Sequence, residues 1–187
     1  MLEKLLKQYG ILLIILAIGS FLIFFNLDNA LLWKDESGTA QLGINTMRYG
    51  IPRAWDGKNM ISSSDGNSFN DDFVVTSHGW LQFYIAGASI SLFGNTTLAA
   101  RAPFAFLAAA SILFLWLTAK EISGKTGFAN LTAFIYIIYI PFLLYARQAR
   151  YYALVFFFGL LSTWLYMSLI NRQNENGHLH MGYTVAL

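Results

Sequence analysis

Residues 9–36 read YGILLIILAIGSFLIFFNLDNALLWKDE. The first nineteen, Tyr9–Leu27, carry no charge. As a helix they rise roughly 28 Å, close to the ~30 Å of a bilayer's hydrocarbon core. No small-x-small cleavage pattern follows, so the stretch reads as a retained anchor rather than a secretory signal. The polar break that ends it leads within eight residues to an acidic pair, Asp35–Glu36. A carboxylate pair at the mouth of a membrane protein can take a proton from an acceptor hydroxyl while a lipid-borne substrate lies in the bilayer beside it.

The rest of the 187-residue chain supports a membrane setting. Hydrophobic residues make up 56% and charged residues 12%, against about 25% charged in soluble domains. Mean hydropathy is +0.50. Aromatics reach 17%, in keeping with several membrane–water interfaces where Trp and Tyr settle. A net charge of +2 with no Lys/Arg run gives no support to a nucleic-acid partner. With no cysteine there is neither a disulfide nor a thiolate metal site within the chain.

Four charge-free stretches of 18 to 21 residues are long enough to span: Tyr9–Leu27, Ala102–Ala119, Thr126–Ala146 and Tyr151–Ile170. Pro141, near the end of the third, is expected to kink it. Met181–Leu187 begins a fifth apolar run, so the pattern predicts the front part of a longer membrane domain. Lys4 and Lys7 ahead of the first stretch place that end on the cytoplasmic side. Residues 28–100 then form an outer loop, exposed around Ser62–Asp72. Two short helices are expected within it, near 37–50 and 79–93. Gly79–Phe93 is too short to span by itself, about 22 Å as a helix. If it spans with Asn95–Ala100 included, every later loop exchanges sides. Lys and Arg counts do not decide, since each arrangement puts five inside.

Several residues are candidates for chemistry. Asp35–Glu36 reads as a general base or a divalent-cation ligand, or else as acidic residues capping the helix that follows. His78, at the start of the Gly79–Phe93 segment, reads as a phosphate contact or a solvated loop histidine. Arg101, Arg147 and Arg150 lie at ends of apolar stretches. They read as forked phosphate ligands or as side chains snorkelling to headgroups. Tyr151 and Tyr152 would fix the depth of Arg150 at the interface. Asp65, Asp71 and Asp72 read as loop acids. There is no Gly-rich phosphate loop, no HExxH and no serine elbow, so nucleotide-dependent chemistry has no support.

The order of these pieces carries a resemblance. Trp33-Lys34-Asp35-Glu36 follows the first span. Tyr49-Gly50-Ile51-Pro52, then Ser77-His78-Gly79-Trp80-Leu81-Gln82-Phe83-Tyr84, Leu92-Phe93-Gly94 and Ala100-Arg101-Ala102-Pro103 come next, and Tyr145-Ala146-Arg147-Gln148-Ala149-Arg150-Tyr151-Tyr152-Ala153-Leu154 comes last. This resembles the N-terminal part of the membrane-embedded GT-C glycosyltransferases, in the branch of protein O-mannosyltransferases, aminoarabinose–lipid A transferases and rhizobial lipopolysaccharide galacturonosyltransferases. It covers residues 1 to about 170.

The resemblance implies an all-α polytopic membrane protein of four to five spans with outer juxtamembrane helices. It implies a transferase that moves a sugar from a polyprenyl-phosphate donor to a lipid, glycan or protein acceptor outside the cell membrane. Asp35 would be the base, Glu36 would orient base or acceptor, and His78, Arg101 and Arg150 would face the carrier phosphate. Two other expectations stand beside it. One is a non-catalytic subunit or transporter fragment, disfavoured because no charge lies inside the four stretches. The other is an accessory protein that binds the carrier lipid without turnover.

Overall fold

The computed structural model describes residues 2–61 and 68–176. The expected fifth apolar run at 181–187 and the first part of the Ser62–Asp72 loop, 62–67 with Asp65, lie outside them. The described chain is all-helical apart from three isolated antiparallel bridges. Its helices are α1 (Leu2–Phe24), α2 (Lys34–Tyr49), α3 (Leu81–Phe93), α4 (Thr97–Ser123), α5 (Thr126–Ile138), α6 (Ile140–Ala146) and α7 (Tyr152–Asn176).

Two helices, α4 and α7, are long and apolar enough to cross a membrane, and the bent pair α5–α6 makes a third if it counts as one span. The four uncharged stretches therefore do not all become uninterrupted spans. In α1 the helix stops at Phe24, and the chain turns at Asn26, which has φ 51°. Its apolar part, Tyr9–Phe24, rises only about 24 Å. The third stretch breaks at Tyr139, two residues before Pro141, with a 67° bend. A proline has no N–H to offer the carbonyl four residues back, and it disfavours helical geometry in the residue before it. The break therefore falls ahead of the proline rather than at it. Tyr136 and Phe142 stack across the bend with ring centroids 3.8 Å apart.

Helix α4 is the central element, packed against α1, α3, α5 and α7. Small residues let it do so. Ala100, Ala105 and Ala108 of α4, Ala129 and Ala133 of α5 and Ala153 of α7 are all fully buried. Side chains of this size let helix backbones approach closely. Trp116 fills the remaining space and donates from Nε1 to Asn130 Oδ1 at 2.7 Å.

Pro103 lies inside α4. It leaves the carbonyl of Ala99 without the usual helical donor. Ser89 of α3 supplies one, its hydroxyl donating to Ala99 O at 2.6 Å in a buried position. The α3–α4 corner thus has its backbone satisfied by a side chain from the neighbouring helix. Helix α3 also lies on α2 with the backbones in direct contact. A Cβ on Gly43 would sit 2.7 Å from the Gly87 amide nitrogen, and one on Gly87 would collide with the Gly43 carbonyl.

The segment between α2 and α3 folds over this pair. Asn45 Nδ2 donates to Arg53 O at 2.7 Å, Tyr84 Oη to Gly50 O at 2.6 Å and Trp80 Nε1 to Val75 O at 2.8 Å. Val75 packs with Leu42 and Phe83. The described parts of the expected outer loop are therefore tied to the helices, while Asp71 and Asp72 remain exposed.

Ser89→Ala is expected to destabilise the fold by about 1–3 kcal/mol, the cost of an unsatisfied buried carbonyl. In a Pro103→Ala background, where the residue at 103 can donate to Ala99, the penalty should shrink to a few tenths. Denaturant unfolding of the four proteins of this cycle in detergent checks it, and equal penalties in both backgrounds would refute the account.

Candidate functional site

The acidic pair lies inside the first turn of α2 rather than before it, because the helix begins at Lys34. Successive helical residues point about 100° apart, and the two carboxylates go separate ways. Glu36 is fully buried and Asp35 is not.

Glu36 meets Arg101, which α4 delivers from its second turn. Arg101 Nε donates to Glu36 Oε1 at 2.8 Å and Nη2 to Oε2 at 2.6 Å. Its Nη1 donates to Leu27 O and Ala30 O at 2.8 and 2.9 Å, and Nη2 also reaches Leu31 O at 3.2 Å. A guanidinium has five N–H donors, and all five are used. Glu36 is equally complete. Oε1 also accepts from Ala149 N at 2.8 Å, and Oε2 from Trp33 N at 3.4 Å, the helix-capping bond. The expectation that Arg101 binds phosphate is therefore corrected, since it has no donor left. Glu36 likewise has no oxygen free to orient an acceptor.

Arg147 is also engaged. Nη2 donates to Phe25 O at 2.6 Å and Asn26 O at 3.1 Å, and Nη1 reaches Leu22 O at 3.5 Å. It caps the carbonyl end of α1, where a cation is favourable. It also borders a broad groove of about 580 Å³ with Trp33, Leu144 and Gln148.

Asp35 faces the opposite side, into a cavity of about 90 Å³ between α2, the Ser68–His78 segment and the α6–α7 turn. Lys34, Thr39, Ser77, His78 and Arg150 share its wall. The Asp35 side chain is 41% exposed, and its Oδ2 lies 3.6 Å from Arg150 Nη2. Arg150 Nη1 donates to the Asp35 carbonyl at 3.3 Å. Its Nε is buried and has no hydrogen-bond partner among the described residues. The guanidinium lies over the Tyr151 ring, 5.3 Å from its centroid. Three arginines at helix ends thus have three environments: Arg101 complete, Arg147 capping, Arg150 incompletely bonded.

His78 completes the cavity. Ser77 Oγ is 2.8 Å from its Nδ1, and its ring lies 6.1 Å from that of Tyr151. Partial burial, chiefly, and the nearby Arg150 charge hold the imidazole below its usual range, against an opposing pull from Asp35. Tyr152 does not line the cavity; it packs on Tyr145 and Tyr151 with centroids 4.5 Å away. Lys34 and Ser77 went unassigned in the sequence, although each is the immediate neighbour of a residue that was singled out. Among the described residues no three His, Asp or Glu side chains converge as cation ligands. With Glu36 committed to Arg101, the residues present do not fit a divalent cation held by the acidic pair. Comparison with protein-family models, curated proteins and solved structures finds no match.

Arg101→Met is expected to cost about 3–5 kcal/mol, because it strands a buried carboxylate. Adding Glu36→Leu should recover part of that loss, since the pair is then absent altogether. Thermal unfolding in detergent measures both, and a double variant less stable than Arg101→Met would contradict the account. For His78, the ring is mostly neutral at pH 7. Its titration midpoint, followed by NMR of the ring, should rise in Arg150→Gln, which removes a repelling cation, and fall in Asp35→Asn, which removes an attracting anion. Shifts of the opposite sign would place His78 in a different field.

Proposed function

We propose that the chain is a membrane-embedded glycosyltransferase that takes a sugar from a polyprenyl-phosphate donor and passes it to an acceptor hydroxyl at the outer face of the cell membrane. The observation that carries this is the asymmetry of the acidic pair. One carboxylate is locked into the fold. The other stands in a cavity beside Arg150, the arginine of the three that has a buried donor, Nε, without a partner among the described residues.

The membrane setting is supported by α4, α7 and the bent α5–α6 pair; the shorter apolar helix α1 is read as a fourth crossing. It is also supported by the apolar outer faces of these helices. Ile11, Ile14, Phe21, Leu131, Ile135, Val155 and Phe158 are each 46–61% exposed, apolar surface of a kind that soluble monomers rarely present. Asp35, Glu36, His78, Arg101 and Arg150 gather at one end of this bundle. Lys120, stacked over Tyr9 and Trp116, lies at the other. With the start of α1 inside, the cavity faces outward.

In the reaction Asp35 takes the proton of the acceptor hydroxyl. That oxygen forms the new bond to the anomeric carbon, and the bond from that carbon to the phosphate oxygen breaks. The electron pair leaves with the polyprenyl phosphate. Arg150, with Lys34 and neutral His78 near it, stabilises the charge that grows there. Glu36 and Arg101 are positioning residues that hold the start of α2 and the α6–α7 turn together.

The test is release of polyprenyl phosphate in membranes containing the full-length protein, which reads turnover whatever the sugar. Asp35→Asn is expected to lower it about 100- to 10,000-fold at unchanged protein level. Undiminished release would remove Asp35 from the chemistry.

A further inference from the structure

We propose that Arg150 is a latch that Asp35 and the donor phosphate share in turn, so that phosphate binding is what frees the base. This rests on the glycosyltransferase reading above and names how its site is regulated.

Arg101 provides the comparison within the same molecule. It grips Glu36 with its Nε/Nη2 edge, at 2.8 and 2.6 Å, the forked geometry that guanidinium groups use for carboxylates and phosphates alike. The same edge of Arg150 is poorly engaged. Nη2 stands 3.6 Å from Asp35 Oδ2, and buried Nε has no partner among the described residues. A desolvated donor without an acceptor is a cost borne by this arrangement. The Asp35 contact is therefore a weak hold on a side chain that has more donors to give.

An oxyanion entering the cavity offers what Asp35 does not. A phosphate can accept from both atoms of that edge, and Lys34 and His78 on the same wall add further donors or charge. As the guanidinium turns toward the phosphate, its bond to the Asp35 carbonyl and its ion pair with Oδ2 are given up. The Asp35 carboxylate is then released from its ion pair and is free to meet the acceptor hydroxyl. Before the donor arrives, Arg150 holds Asp35 through its carboxylate and its carbonyl. The acceptor hydroxyl is thus deprotonated only when the sugar donor is in place, which guards against unproductive proton transfer. Glu36–Arg101 cannot take part in such an exchange, because every donor and oxygen in it is matched.

The experiment is a double-mutant cycle read by binding of farnesyl phosphate to the full-length protein in detergent. Competition for one guanidinium predicts that Asp35→Asn tightens binding at least fivefold in the otherwise native protein. In an Arg150→Gln background the same substitution should change binding less than twofold. Equal tightening in both backgrounds would mean simple charge repulsion and would overturn the latch while leaving the transferase reading intact. Absence of binding in every variant would overturn both. The native protein gives a second measurement. After 15N-arginine labelling, the Nε signal missing in Arg150→Gln should move on adding farnesyl phosphate. If it stays fixed while the lipid binds, the latch is wrong. Inorganic phosphate at the same concentration should leave it unmoved; an equal response would assign the site to free phosphate and overturn the lipid assignment.

Discussion

A buried carboxylate and a buried guanidinium are each costly to take out of water, and together they are tolerable only when geometry and hydrogen bonding are complete. Glu36 and Arg101 meet that condition with all five guanidinium donors and four bonds to the carboxylate. The bonds reach four separate pieces of chain: the start of α2, the second turn of α4, the carbonyls that follow α1, and the amide of Ala149 before α7. Three regions distant in sequence, residues 27–36, Arg101 and Ala149, are thereby fixed to one another by a single charge pair. Everything around the cavity inherits its position from that knot.

The consequence for chemistry is a division of labour between neighbours. Because residues 35 and 36 lie in a helix, their side chains cannot point the same way. Tying Glu36 into the interior turns Asp35 outward, toward Arg150 and His78. The pairing of Glu36 with Ala149 N also sets the α6–α7 turn, and so places Arg150, one residue on, beside Asp35. A second constraint, the backbone contact of Gly43 with Gly87, holds α3 against α2. That contact keeps Val75 and Phe83 packed beneath the cavity and brings the Ser77–His78 segment to its wall.

Much of this architecture was legible in the sequence. Long uncharged runs at 102–119 and 151–170 gave α4 and α7, and Gly50 and Gly94 fell at helix ends. Boundaries shifted where local chemistry outweighed hydropathy. Helix α1 stops before Leu27 because Asn26 adopts a left-handed turn, and the Pro141 break lies at Tyr139. Helix α4 starts five residues earlier than its uncharged run, since Thr96 caps it and Arg101 is buried within it. Arg101 and Arg147 looked like phosphate ligands because an arginine at a helix end has the same sequence appearance whether its donors face solvent, lipid headgroups or backbone carbonyls.

By itself the sequence determined an all-helical, apolar chain with an acidic pair at the head of a short helix and basic residues at the ends of long ones. Periodicity and charge spacing are local properties, and a linear pattern carries them. The tertiary structure alone decided which carboxylate is buried, which arginine completes it and which is left with donors to spare. Those outcomes depend on contacts between residues 65 to 115 positions apart. Whether a hydrogen-bonding group is satisfied is a fact about what surrounds it in space, and no spacing along the chain encodes it.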